Sequence, residues 1–163
     1  MDKRMLTRYI LREITGLLVM AAALFLPAGR LDWPQAWAAL AIMLAWIAAT
    51  LVILLRIHPD LIAERLGPRK GAKPWDVALM SAIGLLQLVR YLLAGFDRRF
   101  GWSGQFTENL QIPAFIVCAA GYALVSWATA SNAFFSQIVR MQPERGQMVV
   151  SEGPYRWVRH PAY

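Results

Sequence analysis

Twenty-three consecutive residues, Trp33 to Leu55, carry no charge. A helix of about 20 apolar residues crosses the hydrocarbon core of a bilayer. Inside that core every backbone N–H and C=O must find its partner within the protein, which admits only helices and closed barrels. The run is far too long for a strand and is read as a helical span. Trp33 and Trp37 stand at its start, where aromatic side chains meet the headgroups. Three further apolar runs accompany it. Ile14 to Leu26, closed by Pro27-Ala28-Gly29, is short, but Tyr9-Ile10-Leu11 extend it and Arg12 can snorkel. Its rival reading is a signal peptide, with Lys3, Arg4, Arg8 and Arg12 as the basic region and Pro27-Ala28-Gly29 as a weak cleavage site. Val77 to Phe96 is interrupted by Gln87 and Arg90, the latter close enough to the end to reach headgroups. The last run starts at Ile112-Pro113, with proline in the first helical turn, and continues to about Val139. Such a helix is roughly 40 Å long, so the stretch from Asn132 to Arg140 is expected to leave the bilayer.

The fold class predicted is all-α: a polytopic integral membrane protein with four transmembrane helices and a cytoplasmic C-terminal segment. Charge orients it. Lys3, Arg4, Arg8 and Arg12 precede the first span. Arg56, Arg65, Arg69, Lys70 and Lys73 lie between the second and third, and Arg140, Arg145, Arg156 and Arg159 follow the fourth. These thirteen fall on one side, against Arg30, Arg98 and Arg99 on the other. The positive-inside rule then places both termini and the loop 57–76 in the cytoplasm, in an inner or plasma membrane. The net charge of +7 is absorbed by this orientation and forms no patch for nucleic acid. Within the loop, Pro59 to Leu66 reads as a short helix ended by Gly67-Pro68, lying along the membrane surface. The lone cysteine, Cys118, sits in an apolar run as a packing residue. The chain divides into a four-span domain, residues 1–140, with its interfacial loop 57–76, and a cytoplasmic segment, 141–163.

That segment carries the chemistry. After a polar stretch punctuated by Pro143 and Gly146, and a briefly β-like Met148 to Val150, it ends in Gly153-Pro154-Tyr155-Arg156-Trp157-Val158-Arg159-His160-Pro161-Ala162-Tyr163. Arg156 and Arg159 share a face if helical, and arginine presents a planar fork to carboxylate or phosphate. His160 can donate or accept near neutral pH, and Pro161 holds it toward an extended conformation. Tyr155, Trp157 and Tyr163 offer flat faces. Two readings stand: a site for a zwitterionic cofactor with an aromatic base, or a basic-aromatic segment on anionic lipid. The sequence has no Cys/His cluster for a metal, no P-loop and no Rossmann fingerprint.

The terminal eleven residues resemble the signature of the isoprenylcysteine carboxyl methyltransferase and phospholipid methyltransferase superfamily. Similarity to bacterial isoprenylcysteine carboxyl methyltransferase-like members continues elsewhere. It includes Ala28 to Trp33, Pro59 to Arg65 with Trp75-Asp76, Asp97 to Ser103, Asn132 to Phe135, Val139-Arg140 and Glu144 to Gly146. The resemblance implies a membrane enzyme that takes S-adenosylmethionine from the cytosolic side and methylates a lipid-like or prenylated carboxylate, or a related small acceptor. It implies that Arg159, His160, Pro161 and Tyr163 line the donor pocket and that Gly153 and Tyr155 shape its approach. Arg156 is the candidate to hold the acceptor, since an arginine can grip a carboxylate in line. The family pattern continues with further helices and an arginine followed by a Glu-Glu pair that completes the donor site. This chain has no adjacent Glu-Glu, so the segment is expected to be incomplete and its pocket open on one side. Membrane sterol reductases have a similar C-terminal module that holds a nicotinamide cofactor, which makes a reductase the second reading. A non-catalytic membrane module is the third.

Overall fold

A computed structural model describes residues 3–66, 73–104, 108–136 and 142–161. The described residues form five α-helices and two 3-10 turns. The helices are α1 (Lys3–Ala28), α2 (Pro34–Arg56), α3 (Leu61–Leu66), α4 (Pro74–Phe100) and α5 (Glu108–Ser131). Four of them are long and apolar enough to cross a membrane, the fourth counted as Asn109–Ser131. No strand forms among the described residues, and the β-like Met148 to Val150 is extended coil.

Local chemistry sets the ends. The apolar run of α1 is carried N-terminally through Arg12 to Lys3 as one continuous helix. It stops at Gly29, whose φ of 68° is left-handed and whose N–H returns to the Phe25 carbonyl at 2.9 Å. Pro34 then opens α2 at a position where its missing N–H costs nothing. The Leu31 carbonyl between them accepts from the Trp37 indole at 2.9 Å. In this same turn Arg30 grips the exposed Asp32 carboxylate and holds its pKa down at about 2. α4 likewise starts on a proline, Pro74, carries the acidic Asp76 in its first turn and Arg98 and Arg99 in its last. That order complements the helix dipole.

Two features differ from expectation. Pro113 is not in the first turn: α5 begins at Glu108, so the proline lies inside the helix. The helix also ends at Ser131 rather than near Val139. The reason is Asn132, whose Oδ1 accepts the Phe134 N–H at 2.8 Å and turns the chain out of the helical path.

α1 packs along α4 and against α2, and α2 carries α5. At one end Phe25, Trp33, Met20, Leu24 and Leu40 form an apolar cluster, and Gln35 of α2 bonds Gln111 of α5 at 3.0 Å. At the other end Tyr9 of α1, Leu54 of α2, and Leu61 and Ile62 of α3 bury one another. Arg12 donates to the Arg65 carbonyl at 2.8 Å, and His58 Nε2 lies 2.9 Å from the Ala130 carbonyl. The helix directions therefore alternate as the charge count requires. Arg30, Arg98 and Arg99 gather at the first end, and the described basic residues of the N-terminus, the loop and the tail gather at the second. Arg69, Lys70 and Arg140, and the expected stop at Gly67-Pro68, lie outside the described residues.

The tight crossing uses Gly95 of α4, where an added Cβ would stand 2.5 Å from the Leu24 carbonyl oxygen of α1. Ala119, Ala120 and Gly121 of α5 are exposed, and a Cβ on Gly121 would meet nothing within 4 Å. Replacing Gly95 by leucine is therefore predicted to cost about 1–3 kcal/mol through overpacking. Gly121→Ala should change stability by no more than about 1 kcal/mol. Thermal unfolding in detergent compares the two, and equal effects would contradict the crossing.

Candidate functional site

The chain beyond α5 folds back onto the last turns of that helix. Gly153 is the point of contact. Its φ is 59°, and a Cβ there would stand 2.1 Å from Ser131 Oγ, 2.8 Å from Ser131 Cβ and 3.2 Å from the Trp127 indole nitrogen. Only glycine meets both demands. It opens the 3-10 turn Gly153–Arg156, in which Pro154 is buried. Trp157 follows and sets its ring edge-on to Trp127 of α5, centroids 5.7 Å apart. With the turn so anchored, Tyr155 reaches Asn132, whose Nδ2 donates to the phenol oxygen at 3.0 Å.

A second staple fixes the opposite wall. Gln142 is almost fully buried and donates from Nε2 to the Phe134 carbonyl at 2.9 Å. Arg145, in the 3-10 turn Pro143–Arg145, donates to Gln142 Oε1 at 2.7 Å and to the Ala133 carbonyl at 3.0 Å. Its guanidinium also sits 5.7 Å from the Phe134 ring centre. Gln147 returns its Oε1 to the Gln142 N–H at 2.6 Å. The stretches 132–136 and 142–150 thus become one unit. Phe135 seats that unit on the helical platform by packing against the Tyr9, Leu54, Leu61 and Ile62 cluster. The Arg65 guanidinium covers the Phe135 ring at 5.9 Å, and burial pushes its pKa down.

Between these walls lies a cleft of about 530 Å³, within the usual range for small-molecule sites. Phe134, Phe135, Met148, Val149 and Val150 give it an apolar side. Asn132, Ser136, Gln147, Tyr155, Arg159 and His160 give it a polar one, and Pro161 closes it. Burial raises the Tyr155 phenol pKa above its ordinary value, with the Asn132 bond opposing. A smaller groove of about 340 Å³ runs along α5 past Val117, Gly121, Tyr122 and Val125, and it too ends on Pro161.

The expected site residues divide accordingly. Tyr155, Arg159, His160 and Pro161 face one cleft. Gly153 lies outside it and fixes the turn that presents Tyr155. Arg156 is exposed and does not line the cleft. It does not share a helical face with Arg159, because a 3-10 turn followed by coil replaces the helix there. Tyr163 lies outside the described residues. The resemblance took in Asn132 to Phe135 without giving them a place in the site, and sequence reasoning did not single out Ser136, Gln142 or Gln147. Asn132 carried a usable signal, an asparagine closing an apolar helical run. Among the described residues no group of three His, Cys, Asp or Glu side chains comes together.

Gly153→Ala is predicted to destabilise the protein by about 2 kcal/mol or more, through left-handed strain and the clash with Ser131. Adding Ser131→Gly should recover the clash but not the strain. Thermal unfolding of the single and double variants checks this, and an alanine accepted without loss would refute the contact.

Residues 112–163 match the family model of the isoprenylcysteine carboxyl methyltransferase (ICMT) family. No curated protein and no solved structure matches the chain. The matched segment contains every residue lining the 530 Å³ cleft together with most of the helix that supports it. Over that segment, about a third of the chain, the protein is similar to the isoprenylcysteine carboxyl methyltransferase family.

Proposed function

We propose that the protein binds S-adenosylmethionine in the cleft and methylates a lipid-like or prenylated carboxylate, or a related small acceptor, at the cytoplasmic face of the membrane. The observation that carries this reading is the convergence of Tyr155, Arg159, His160 and Pro161 on one cleft beside an apolar wall. The lining suits the donor, which joins a flat base to a charged amino-acid end. Phe134, Phe135 and Val149 would take the base. Arg159 would take the carboxylate with two parallel bonds, and Tyr155 and His160 add further polar contacts. The bound donor supplies an electrophilic methyl group on sulfur. The protein's own task is to hold that carbon in line with the nucleophile and to exclude water. A carboxylate acceptor is already ionised, so no side chain has to remove a proton from it. The α5 groove that meets the cleft at Pro161 favours an acceptor carried by the bilayer. The charge count favours a cytoplasmic cleft, on the side where a soluble donor is met.

Calorimetry of S-adenosylmethionine on the detergent-purified full-length protein tests the reading, with a reduced nicotinamide cofactor run alongside. Binding is expected for the methyl donor, weakened about 10- to 100-fold by Arg159→Ala, the loss of hydrogen bonds to a charged group. Binding of the nicotinamide instead, or donor binding indifferent to Arg159, would overturn it.

A further inference from the structure

Asn132 links the end of α5 to the cleft, and its hydrogen bonds have a fixed direction. A backbone N–H can only donate, so the Asn132 atom facing Phe134 N–H at 2.8 Å is the amide oxygen. The amide orientation, usually a matter of choice, is settled by that bond. The NH2 group then faces Tyr155, and it too can only donate. The phenol oxygen, 3.0 Å away, must accept. A phenol carries its O–H in the ring plane, on the side opposite an occupied lone pair. The Tyr155 hydrogen is therefore turned away from Asn132. Both residues line the cleft.

We infer that Asn132 is a positioning residue that makes Tyr155 an obligate hydrogen-bond donor to an acceptor oxygen of the bound methyl donor. The inference rests on the methyl-donor reading of the cleft. It gives one asparagine two duties, ending the membrane helix and setting the polarity of the site. A site of this kind discriminates: it favours a ligand that offers an acceptor to Tyr155 and rejects one that offers a donor, which would leave two donors opposed.

Asn132→Asp separates the two duties. The new carboxylate keeps an oxygen for the Phe134 N–H, so the turn after α5 is retained. Its other oxygen accepts from Tyr155, which reverses the phenol and withdraws its proton from the cleft. Tyr155→Phe removes the hydroxyl altogether. Each single variant of the full-length protein is expected to weaken S-adenosylmethionine binding about 10- to 100-fold, the worth of a hydrogen bond to a charged or strongly polar group. KM for the donor should rise with kcat unchanged, as when binding shared by ground and transition states is lost. The decisive comparison is the double variant, which should bind no more weakly than Tyr155→Phe alone, because both changes delete the same bond. A merely structural role for Asn132 predicts an added loss in the double variant, and that result would overturn the inference. Unchanged binding in either single variant would overturn it as well. Failure of the unsubstituted protein to bind the donor is a different result: it removes the methyl-donor reading, and the inference falls with it.

Discussion

The cleft exists because a loop returns to the end of a membrane helix closely enough to exclude any side chain at the contact. Gly153 lies against Ser131 and Trp127 of α5 with space for a hydrogen and nothing more. Everything functional follows from that seat. It fixes the 3-10 turn, the turn delivers Tyr155 to Asn132, and the next residues carry Arg159, His160 and Pro161 along the rim. Trp157 on Trp127 and the buried Pro154 hold the turn from either side. A site presented by a loop gains precision when the loop is fastened to a rigid element, and here the element is a helix of about 36 Å.

The opposite wall depends on a different kind of contact. Gln142 and Arg145 close onto the carbonyls of Phe134 and Ala133, in the turn that follows α5. Arginine was read as a topological charge at this position, and its structural use is more specific. Phe135 then transfers the wall onto α1, α2 and α3 through the cluster around Tyr9 and Leu54. Arg65 caps that contact from below, held against the Phe135 ring at some cost in desolvation. Through this chain of contacts the first three helices act on a cleft whose lining residues all come from the last third of the sequence.

The set of four long apolar helices was legible because a bilayer leaves few solutions. Uncharged length gave α2 within a residue at either end, and the distribution of arginine and lysine gave the alternation of helix directions. Helix ends decided by one side chain were not legible. Apolar residues continue past Ser131 through Phe134, Phe135 and Ile138, so hydropathy carried the fourth span too far, while a single bond from Asn132 stopped it. Pro113 misled for a related reason, since the unbroken apolar run begins only at Ile112, four residues after the helix starts at Glu108. The site residues near one another in the chain, Tyr155 to Pro161, were legible as a motif. The walls formed by Phe134, Phe135, Gln147 and Met148 were not, because they join the motif only through packing and bonds between distant segments. The pairing of Arg156 with Arg159 assumed a helical spacing that the 3-10 turn does not keep.

Hydrogen exchange on the full-length protein, with and without S-adenosylmethionine, addresses the central claim that the folded-back segment and the end of α5 form one methyl-donor site. The account predicts slowed exchange in two separated stretches together, 132–136 and 147–161, and no change in the turn 29–33 or around 101–104 at the opposite end of the helices. Protection confined to one stretch, or appearing at the opposite end, would contradict it.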